Sequence, residues 1–502
     1  MDNSEQLRKS ANKAIAQLGI GGVLGKVISL GATLLLTRLL LPADYGTMAL
    51  AMTFIAFIGY FNEVGVGASI VQKKELIRSE VNGCFLIAIA VSFVLCGLTL
   101  LFAPLVALFF DAPKLTNIVR ALSVVFILGS LSTVPIAFLR REMRFKVLAI
   151  LGVAEVLVNS SIAIVLAFLN FGVWSLVFGF IASSLMRVVL SFYFSRWRPV
   201  GAYKIKEAME LVAYGLHVTA SRVFWYIYIS ADKIVIGRIL GVRLVGVYDM
   251  AFSLATLLSG QITTLVTNVA SPLFSKLQSD RGELVSSLKR LTRGIVFITY
   301  PTLIGMFVCS DEIISILLSA TWSEVLVPFN VLCLLGLVKS FDPLLSQILI
   351  STGYAKRLSI YTFVCGVVMV ASCAIGATKF GLLGVSLVWV TVYPLLTLRL
   401  LSEVCAVIEM TKMEFFGNIA PVLISSLVMG LAMKVARMLL LAYTKSPLVL
   451  LPVEVVVGFV VYLSYSAVFY RSMLLEIRSV LNDIGVPVRW LRFDIFAKQS
   501  GI

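Results

Sequence analysis

Charged residues are scarce in this sequence, and their scarcity argues against a soluble protein of ordinary composition. Asp, Glu, Lys and Arg make up 14% of the 502 residues, whereas hydrophobic residues make up 60%. Soluble globular domains carry about 25% charged residues. No polar stretch between residues 15 and 470 is long enough to fold as a separate domain. Little of the chain could therefore fold as a soluble domain.

Histidine and cysteine are also few, which limits metal and redox chemistry. His217 is the only histidine, and the seven cysteines lie inside or at the edges of apolar segments. Their spacing matches neither a zinc site nor a disulfide framework. We therefore expect no metal site and no cofactor, and we interpret the cysteines as small core residues.

Apolar runs recur along the chain, and each is long enough to cross a membrane. A bilayer core of about 30 Å needs about 20 apolar residues in a helix. The sequence therefore predicts an all-α integral membrane protein with about 14 transmembrane helices. The predicted spans cover residues 15–36, 44–65, 82–104, 118–138, 147–169, 172–194, 211–237, 244–271, 291–309, 325–350, 358–377, 381–402, 418–441 and 448–470.

Basic residues alternate between the predicted loops and indicate how the chain is oriented. A loop such as Arg140–Lys146 is rich in Arg and Lys, whereas the loop at Lys379 holds one basic residue. Cytoplasmic loops of membrane proteins carry the excess of Lys and Arg. We therefore predict a multi-pass protein with cytoplasmic termini. The net charge of +16 is then explained by membrane topology, and no nucleic-acid partner is expected.

The two ends of the chain are predicted to be cytoplasmic segments of different kinds. Residues 1–14 form a polar segment, and the apolar run that follows lacks a small-residue cleavage site, which favours a retained first span. Residues 471–502 form a basic tail. Leu474, Ile477, Leu481 and Ile484 have helical spacing in it, so an amphipathic surface helix and a solvated tail both stay open.

Matching motifs at an offset of about 200 residues indicate an internal repeat. Arg38-Leu39-Leu40 corresponds to Arg238-Ile239-Leu240, and Gly46 corresponds to Gly246. A second match pairs residues 170–173 with residues 379–382. Because six helices return the chain to the same side, the two copies have parallel orientation. The sequence predicts two six-helix lobes, 15–200 and 201–405, and two additional helices within 406–470.

Ionisable residues inside the predicted spans are candidates for a substrate site, because such groups usually face protein or a water-filled cavity. Lys26 lies midway along the first span. On the seventh span, Trp225, Tyr228 and Asp232 share one helix face, and Arg222 and Lys233 follow on the adjacent face. Charges with aromatic rings suit a ligand that has anionic and sugar-like parts, since arginine pairs well with phosphate. Structural ion pairs remain the alternative for Lys26, Asp232 and Lys233.

Further charges within spans have less specific interpretations. Lys339 and Asp342 are one helical turn apart, which favours an intrahelical ion pair, although Lys339 is also a substrate-site candidate. Pro343 predicts a kink beside them. Glu63, Glu155 and Asp342 are candidates for binding a coupling cation, H⁺ or Na⁺, and the identity of that ion stays open.

Three motifs resemble the polysaccharide transporter family: TRLLLPADYG (37–46), LRREMRFKVLA (139–149) and ADKIVIGRILG (231–241). That family includes the O-antigen and exopolysaccharide flippases of the multidrug/oligosaccharidyl-lipid/polysaccharide exporter superfamily. The resemblance implies a V-shaped pair of six-helix lobes in the bacterial cytoplasmic (inner) membrane. It also implies alternating-access movement of undecaprenyl-pyrophosphate-linked oligosaccharide between leaflets, for surface polysaccharide biosynthesis. Lys26 and Arg222 would contribute to its cationic cavity.

The same resemblance implies that the partners are lipid-linked oligosaccharide, membrane lipid and the glycosyltransferases and polymerase of a polysaccharide pathway. Three other functions stay open. One is a cation-coupled exporter of small molecules or drugs, which shares the fold. Another is a membrane scaffold without transport activity. The third is a membrane polysaccharide polymerase, but the outer loops are short and the cytoplasmic loops lack an Asp/His or metal cluster. We therefore expect a transporter and not an enzyme.

Overall fold

The computed structural model describes residues 2–62, 67, 70–71, 73, 76–205 and 225–470, and the side chains of residues 2–18, 20, 265 and 268 are not described. Within these ranges the chain is helical and contains no β-strand. A short 3₁₀ helix, Ala320–Val325, precedes α12. The α-helices are α1 (Asp2–Leu39), α2 (Pro42–Asn62), α3 (Arg78–Phe109), α4 (Lys114–Leu122), α5 (Val124–Arg141), α6 (Phe145–Phe168), α7 (Val173–Ser195), α8 (225–239), α9 (Val242–Leu277), α10 (Arg281–Val308), α11 (Ser310–Leu317), α12 (Leu326–Lys339), α13 (Asp342–Ser351), α14 (Ala355–Ile408), α15 (Lys412–Leu440) and α16 (Pro447–Phe469).

Twelve helical segments of the described chain are long and apolar enough to cross a membrane. This confirms the prediction of an all-α, multi-pass membrane protein. The single helix α14 covers both the eleventh and the twelfth predicted spans. The first part of the seventh predicted span, 211–224, lies outside the described residues. The count of fourteen therefore stays a prediction.

Apolar side chains cover the outer faces of the long helices. On α3, Leu101, Leu105 and Leu108 follow one another along one face and are 70%, 57% and 75% exposed. An exposed apolar surface of this extent is unfavourable in water. It is expected for a helix that faces the acyl chains of a bilayer.

Two glycines at equivalent positions of the predicted repeat have nearly the same backbone conformation. Gly172 precedes α7 with φ 54° and ψ −132°, and Gly381 interrupts α14 with φ 61° and ψ −142°. Only glycine occupies this region without strain, because a Cβ atom would clash there. Gly381 thus separates two helices within α14, and the chain turns back there, because a Cβ atom added to Gly384 would lie 2.1 Å from the Gly376 carbonyl oxygen. The two glycines of the motifs 170–173 and 379–382 therefore have the same conformation.

Short polar side chains start two of the long helices. Asp280 precedes α10 and accepts a hydrogen bond from the Glu283 backbone N–H at 3.1 Å. Thr411 precedes α15 and accepts one from the Glu414 N–H at 3.2 Å. Each cap satisfies an N–H group that the helix leaves without an internal partner. These caps fix where the two helices begin.

The described chain divides into two compact units, and the boundaries of the six-helix lobes stay a prediction. The first unit comprises 1–249, 318–322 and 362–385, and the second comprises 250–317, 323–361 and 386–502. A buried cluster that includes Trp197, Phe85 and Val134 lies in the first unit. The larger core of the second unit includes Phe274, Phe415 and Tyr462. The tail 471–502, with its predicted amphipathic helix, lies outside the described residues.

Candidate functional site

The first turns of α2 and α9 meet backbone to backbone. A Cβ atom added to Gly46 would lie 1.9 Å from the Val242 carbonyl oxygen and 2.9 Å from the Gly246 nitrogen. A Cβ atom added to Gly246 would lie 1.9 Å from the Pro42 oxygen and 2.8 Å from the Gly46 nitrogen. The contact is reciprocal, because each glycine meets the residue four positions before the other. Only glycine permits so close an approach of two helices.

A second contact holds the same end of α1 and α2. Trp322, which is fully buried, donates its indole N–H to the Thr37 carbonyl oxygen at 2.9 Å. Ser319 donates its hydroxyl to the same oxygen at 3.1 Å. The Tyr45 ring packs edge-on against the Trp322 ring, with centroids 5.2 Å apart. The segment 318–322 therefore docks onto the helix ends beside the Gly46–Gly246 contact.

The candidate residues on α8 have partners on neighbouring helices. Asp232 is buried and accepts a hydrogen bond from the Tyr248 hydroxyl at 2.8 Å. Lys233 forms an ion pair with Asp249. Both partners lie on α9, so the two charges link α8 to α9. An ion pair between helices is the structural role that the sequence left open for Lys233. A substrate-binding role for Asp232 and Lys233 stays a prediction.

The aromatic residues of α8 differ in exposure. Tyr228 is buried, whereas Trp225 is 46% exposed. Tyr226 is also buried and donates its hydroxyl to the Thr53 carbonyl oxygen on α2 at 2.7 Å. The rings of Tyr60 and Tyr226 pack with centroids 5.3 Å apart. Of the α8 aromatics, Trp225 is therefore the one whose ring is open to a ligand.

Lys26 is an exposed cation inside a predicted span. It lies on α1, and within the described residues no hydrogen bond or ion pair is recorded for its ammonium group. Arg222, its predicted counterpart, and Glu63 lie outside the described residues, as does His217. The proposed grouping of Lys26 with Arg222 therefore stays a prediction.

Lys339 and Asp342 do not lie on one continuous helix, as the intrahelical pairing had assumed. The α12 helix ends at Lys339 and α13 begins at Asp342, with Pro343 in its first turn. The break lies where the proline predicted a kink, since proline cannot continue the hydrogen bonding of the preceding turn.

Aromatic side chains surround both charges. The Lys339 ammonium lies 4.8 Å from the Phe252 ring centre and 4.7 Å from the Trp389 ring centre. Such contacts stabilise a cation by about 0.5–2 kcal/mol. Asp342 accepts a hydrogen bond from the Tyr393 hydroxyl at 2.7 Å. The second unit thus encloses one cation and one carboxyl group among aromatic rings, of which Trp389 and Tyr393 are fully buried.

Glu155, a candidate for cation binding, is paired with an arginine. Arg187 on α7 donates its Nε–H to Glu155 Oε1 at 2.8 Å, and a second contact makes the pair bidentate. The pair lines a cavity of about 190 Å³ together with Asn159, Ser183 and Ser184. Arg187 is a charge inside a predicted span that the sequence interpretation missed. The rule that selected Lys26 would also have selected Arg187.

Removing one member of the Glu155–Arg187 pair should destabilise the protein more than removing both. An uncompensated charge at the centre of a membrane helix costs about 2.5–3.5 kcal/mol, so Arg187→Ala should lower the midpoint of thermal unfolding in lipid nanodiscs. The double variant with Glu155→Ala should recover most of the loss. As a control, Arg399→Ala leaves Glu403 paired with Arg357 and should change the midpoint little. A double variant less stable than Arg187→Ala would contradict the pairing argument.

An apolar cavity of about 630 Å³ lies in the second unit. Its walls come mainly from α10, α15 and α16. Leu258 of α9, Cys309 between α10 and α11, and Ile313 of α11 complete the lining. Phe297, Met433 and Phe459 are among the lining side chains. A cavity of this size and apolar character accommodates a hydrocarbon chain or a drug-sized apolar molecule.

No metal centre is found in the described part of the chain. Within it, no group of three or more His, Cys, Asp or Glu side chains is arranged to hold a metal ion.

Glu454 and Arg437, which sequence reasoning also missed, are close together where α15 ends and α16 begins. A single acidic residue inside the apolar run 448–470 was the signal that should have selected Glu454.

Comparisons with known proteins point to one group. A family model described as polysaccharide biosynthesis protein matches residues 35–327. The lipopolysaccharide biosynthesis protein WzxC of Escherichia coli is 22% identical over 354 residues, which is 70% of this chain and 72% of WzxC. The succinoglycan biosynthesis transport protein ExoT of Rhizobium meliloti is 24% identical over 371 residues, 72% of this chain and 74% of ExoT.

Solved structures with the same fold are membrane transporters. The lipid II flippase MurJ in an inward closed conformation superposes with a TM-score of 0.74 and 16% identity, over 91% of this chain and 99% of that one. A multidrug resistance MATE family transporter of the MOP superfamily, in an inward-facing conformation, gives a TM-score of 0.60 and 15% identity, over 79% and 99%. At these identities the likeness establishes the fold alone.

Proposed function

This chain belongs to the family of polysaccharide biosynthesis proteins, and from that premise we propose that it is a lipid-linked oligosaccharide flippase. Its substrate is an undecaprenyl-pyrophosphate-linked oligosaccharide, which it moves from the inner to the outer leaflet of the bacterial cytoplasmic membrane. The product supplies surface polysaccharide biosynthesis. Relatives named for lipopolysaccharide biosynthesis and succinoglycan transport support this assignment.

The observation that carries the proposal is the apolar cavity bounded by α10, α15 and α16. A drug exporter and a flippase both need a polar path, but only the flippase must also hold a long hydrocarbon chain. A cavity of about 630 Å³ lined by side chains such as Phe297, Met433 and Phe459 provides apolar contact for part of that chain. The cavity therefore favours a lipid substrate.

Cations inside the spans support a phosphate-bearing headgroup. Lys26 is exposed on α1, and Lys339 lies between the rings of Phe252 and Trp389. A pyrophosphate is anionic and binds Lys and Arg through charge-assisted hydrogen bonds.

Alternating access is the mechanism that we propose for the movement. The Gly46–Gly246 contact joins the equivalent helices of the proposed repeat at the end where α1 meets α2. In the predicted orientation this end faces outward, so the contact closes the outer side. Separating the two helix ends would open it. Both termini are then cytoplasmic, and the glycosyltransferases and polymerase of the same pathway act before and after the flippase.

Loss of the protein should trap the substrate on the inner side of the membrane. In a strain that lacks the gene, we expect lipid-linked oligosaccharide to accumulate in the inner leaflet and surface glycan to disappear. Lipid extraction with leaflet-selective labelling of the sugars measures both. A plasmid copy should restore export. Normal surface glycan in the deletion strain would contradict the proposal, and a changed drug resistance with normal glycan would favour the drug exporter.

A further inference from the structure

Four ionisable groups meet where α10 and α15 end and α16 begins. Arg437, in the last turn of α15, contacts Asp311 through Nη2 at 2.8 Å and Glu312 through Nε at 2.9 Å. Glu454 of α16 brings its Oε1 to 3.8 Å from the same Nε. Its Oε2 accepts a hydrogen bond from the Cys309 thiol at 2.9 Å. Three carboxyl groups thus surround one guanidinium.

The two glutamates are buried and incompletely satisfied. Glu454 is 0% exposed and Glu312 is 3% exposed. Within the described residues, Glu454 Oε1 and Glu312 Oε2 are buried oxygens without a hydrogen-bond partner. A buried carboxylate without partners is costly, and two of them close together cannot both stay ionised at low cost. Each unsatisfied oxygen is therefore a place where a proton can reside.

In the part of the chain that the structure describes, no cation other than Arg437 forms a recorded ion pair with these carboxyl groups. The α16 helix packs against α10, α11 and α15. The groups that these elements turn toward Glu454 are Cys309 after α10, Asp311 and Glu312 on α11, and Arg437 on α15. One guanidinium neutralises one carboxylate, and a protonated thiol neutralises none. Asp311 is half exposed, with 52% of its side chain accessible, so it connects the buried pair to the surface.

We propose that Glu312 and Glu454, which both lie against Arg437 Nε, form a proton-binding site that holds one proton and exchanges it with the surface through Asp311. Retention of one proton by a pair of neighbouring carboxyl groups is a general outcome of like-charge repulsion in a site of low polarity. The proton converts one unsatisfied carboxylate oxygen into a hydroxyl donor. The cluster then carries one negative charge fewer.

The proton site borders the apolar cavity. Cys309 lines that cavity and donates its thiol to Glu454. Loss of the proton places a second negative charge directly behind this wall, which disfavours an apolar occupant. This part of the inference rests on the proposed function. Binding and release of the proton would couple occupancy of the cavity by the lipid chain to the proton concentration at the surface near Asp311.

Infrared difference spectroscopy of the full chain in lipid nanodiscs tests the site directly. At neutral pH, we expect a protonated-carboxyl C=O band that shifts when glutamate is labelled with ¹³C at its side-chain carboxyl. Glu454→Gln should remove this component, and Glu312→Gln should remove it as well. Glu403→Gln is the matched control, because Glu403 is balanced by both Arg357 and Arg399, and it should leave the band unchanged.

Stability gives a second readout of the same proton. The folded protein keeps a proton that the unfolded chain releases at neutral pH, so raising the pH favours unfolding. The unfolding midpoint of the wild type should therefore fall more steeply between neutral and alkaline pH than that of Glu454→Gln. A wild-type band that does not shift on glutamate labelling would overturn the proposal, even if neither variant folds. Equal pH slopes in wild type and Glu454→Gln would also overturn it.

Transport assays separate this inference from the proposed function. In inverted membrane vesicles, Glu454→Gln should abolish the dependence of lipid-linked oligosaccharide movement on a pH gradient, whereas Glu403→Gln should retain it. Gradient dependence that persists in Glu454→Gln would overturn the coupling. Absence of movement in the wild type would contradict the flippase, while the infrared band would still decide the proton site.

Discussion

Export of surface glycan should fall close to the level of the deletion strain when Gly46 is replaced by alanine. The new Cβ would lie 1.9 Å from the Val242 carbonyl oxygen, and ordinary contact begins at 3.4 Å. The opposing atoms belong to the backbone, so no side chain can turn aside. The first turns of α2 and α9 must therefore move apart by more than an ångström. If their contact closes the outer side, alternating access fails.

The controls for this prediction lie in the same pair of helices. Gly59 is on α2, and a Cβ there would meet nothing within 4 Å, so Gly59→Ala should leave export unchanged. Gly246→Ala should reproduce the loss, because its Cβ would lie 1.9 Å from the Pro42 oxygen. The double variant should be no worse than either single one, since both changes separate the same contact. Glycan export is measured at equal membrane levels of each variant. Normal export in both single variants would exclude the contact from the transport cycle.

The fold was largely predictable because membrane insertion leaves a strong record in sequence. Apolar length and loop charge together predict the helices, and twelve spans were found in the described residues. The match between residues 170–173 and 379–382 placed Gly172 and Gly381 at equivalent positions, and both have a positive φ. The sequence also placed Gly46 and Gly246 at equivalent positions. It contained no sign that they touch, since a contact between residues 200 positions apart depends on how the helices pack.

The candidate site was less predictable, because the partner of a buried charge depends on tertiary packing. Spacing suggested that Lys339 pairs with Asp342, but it contained no sign of the aromatic rings from α9 and α14 that flank Lys339. Glu155 was selected from the sequence as a charge inside a predicted span, but its partner Arg187 is on another helix. Glu454 was overlooked, although it is an isolated acid in an apolar run. Periodicity identifies a helix face and does not identify what packs against it.

Replacing Lys26 with alanine should reduce export strongly without destabilising the fold. Within the described residues, Lys26 has no recorded ion pair or hydrogen bond, so its removal breaks no structural contact. An isolated charge in a span costs about 2.5–3.5 kcal/mol, which alanine relieves. A hydrogen bond from a cation to phosphate is worth about 1.5–3 kcal/mol, which corresponds to roughly 10- to 100-fold in affinity. Export rate and the unfolding midpoint in nanodiscs measure the two effects.

Lys233 supplies the comparison that separates binding from structure. Lys233 is paired with Asp249, so Lys233→Ala leaves a carboxylate inside the bundle and should lower the unfolding midpoint. Lys26→Ala should leave the midpoint unchanged or raise it, and Lys26→Arg should retain part of the export because the positive charge remains. Removing a cation that binds substrate should thus reduce transport alone, whereas removing a cation that stabilises the fold should first lower the unfolding midpoint. Full export by Lys26→Ala would place Lys26 outside the path of the headgroup.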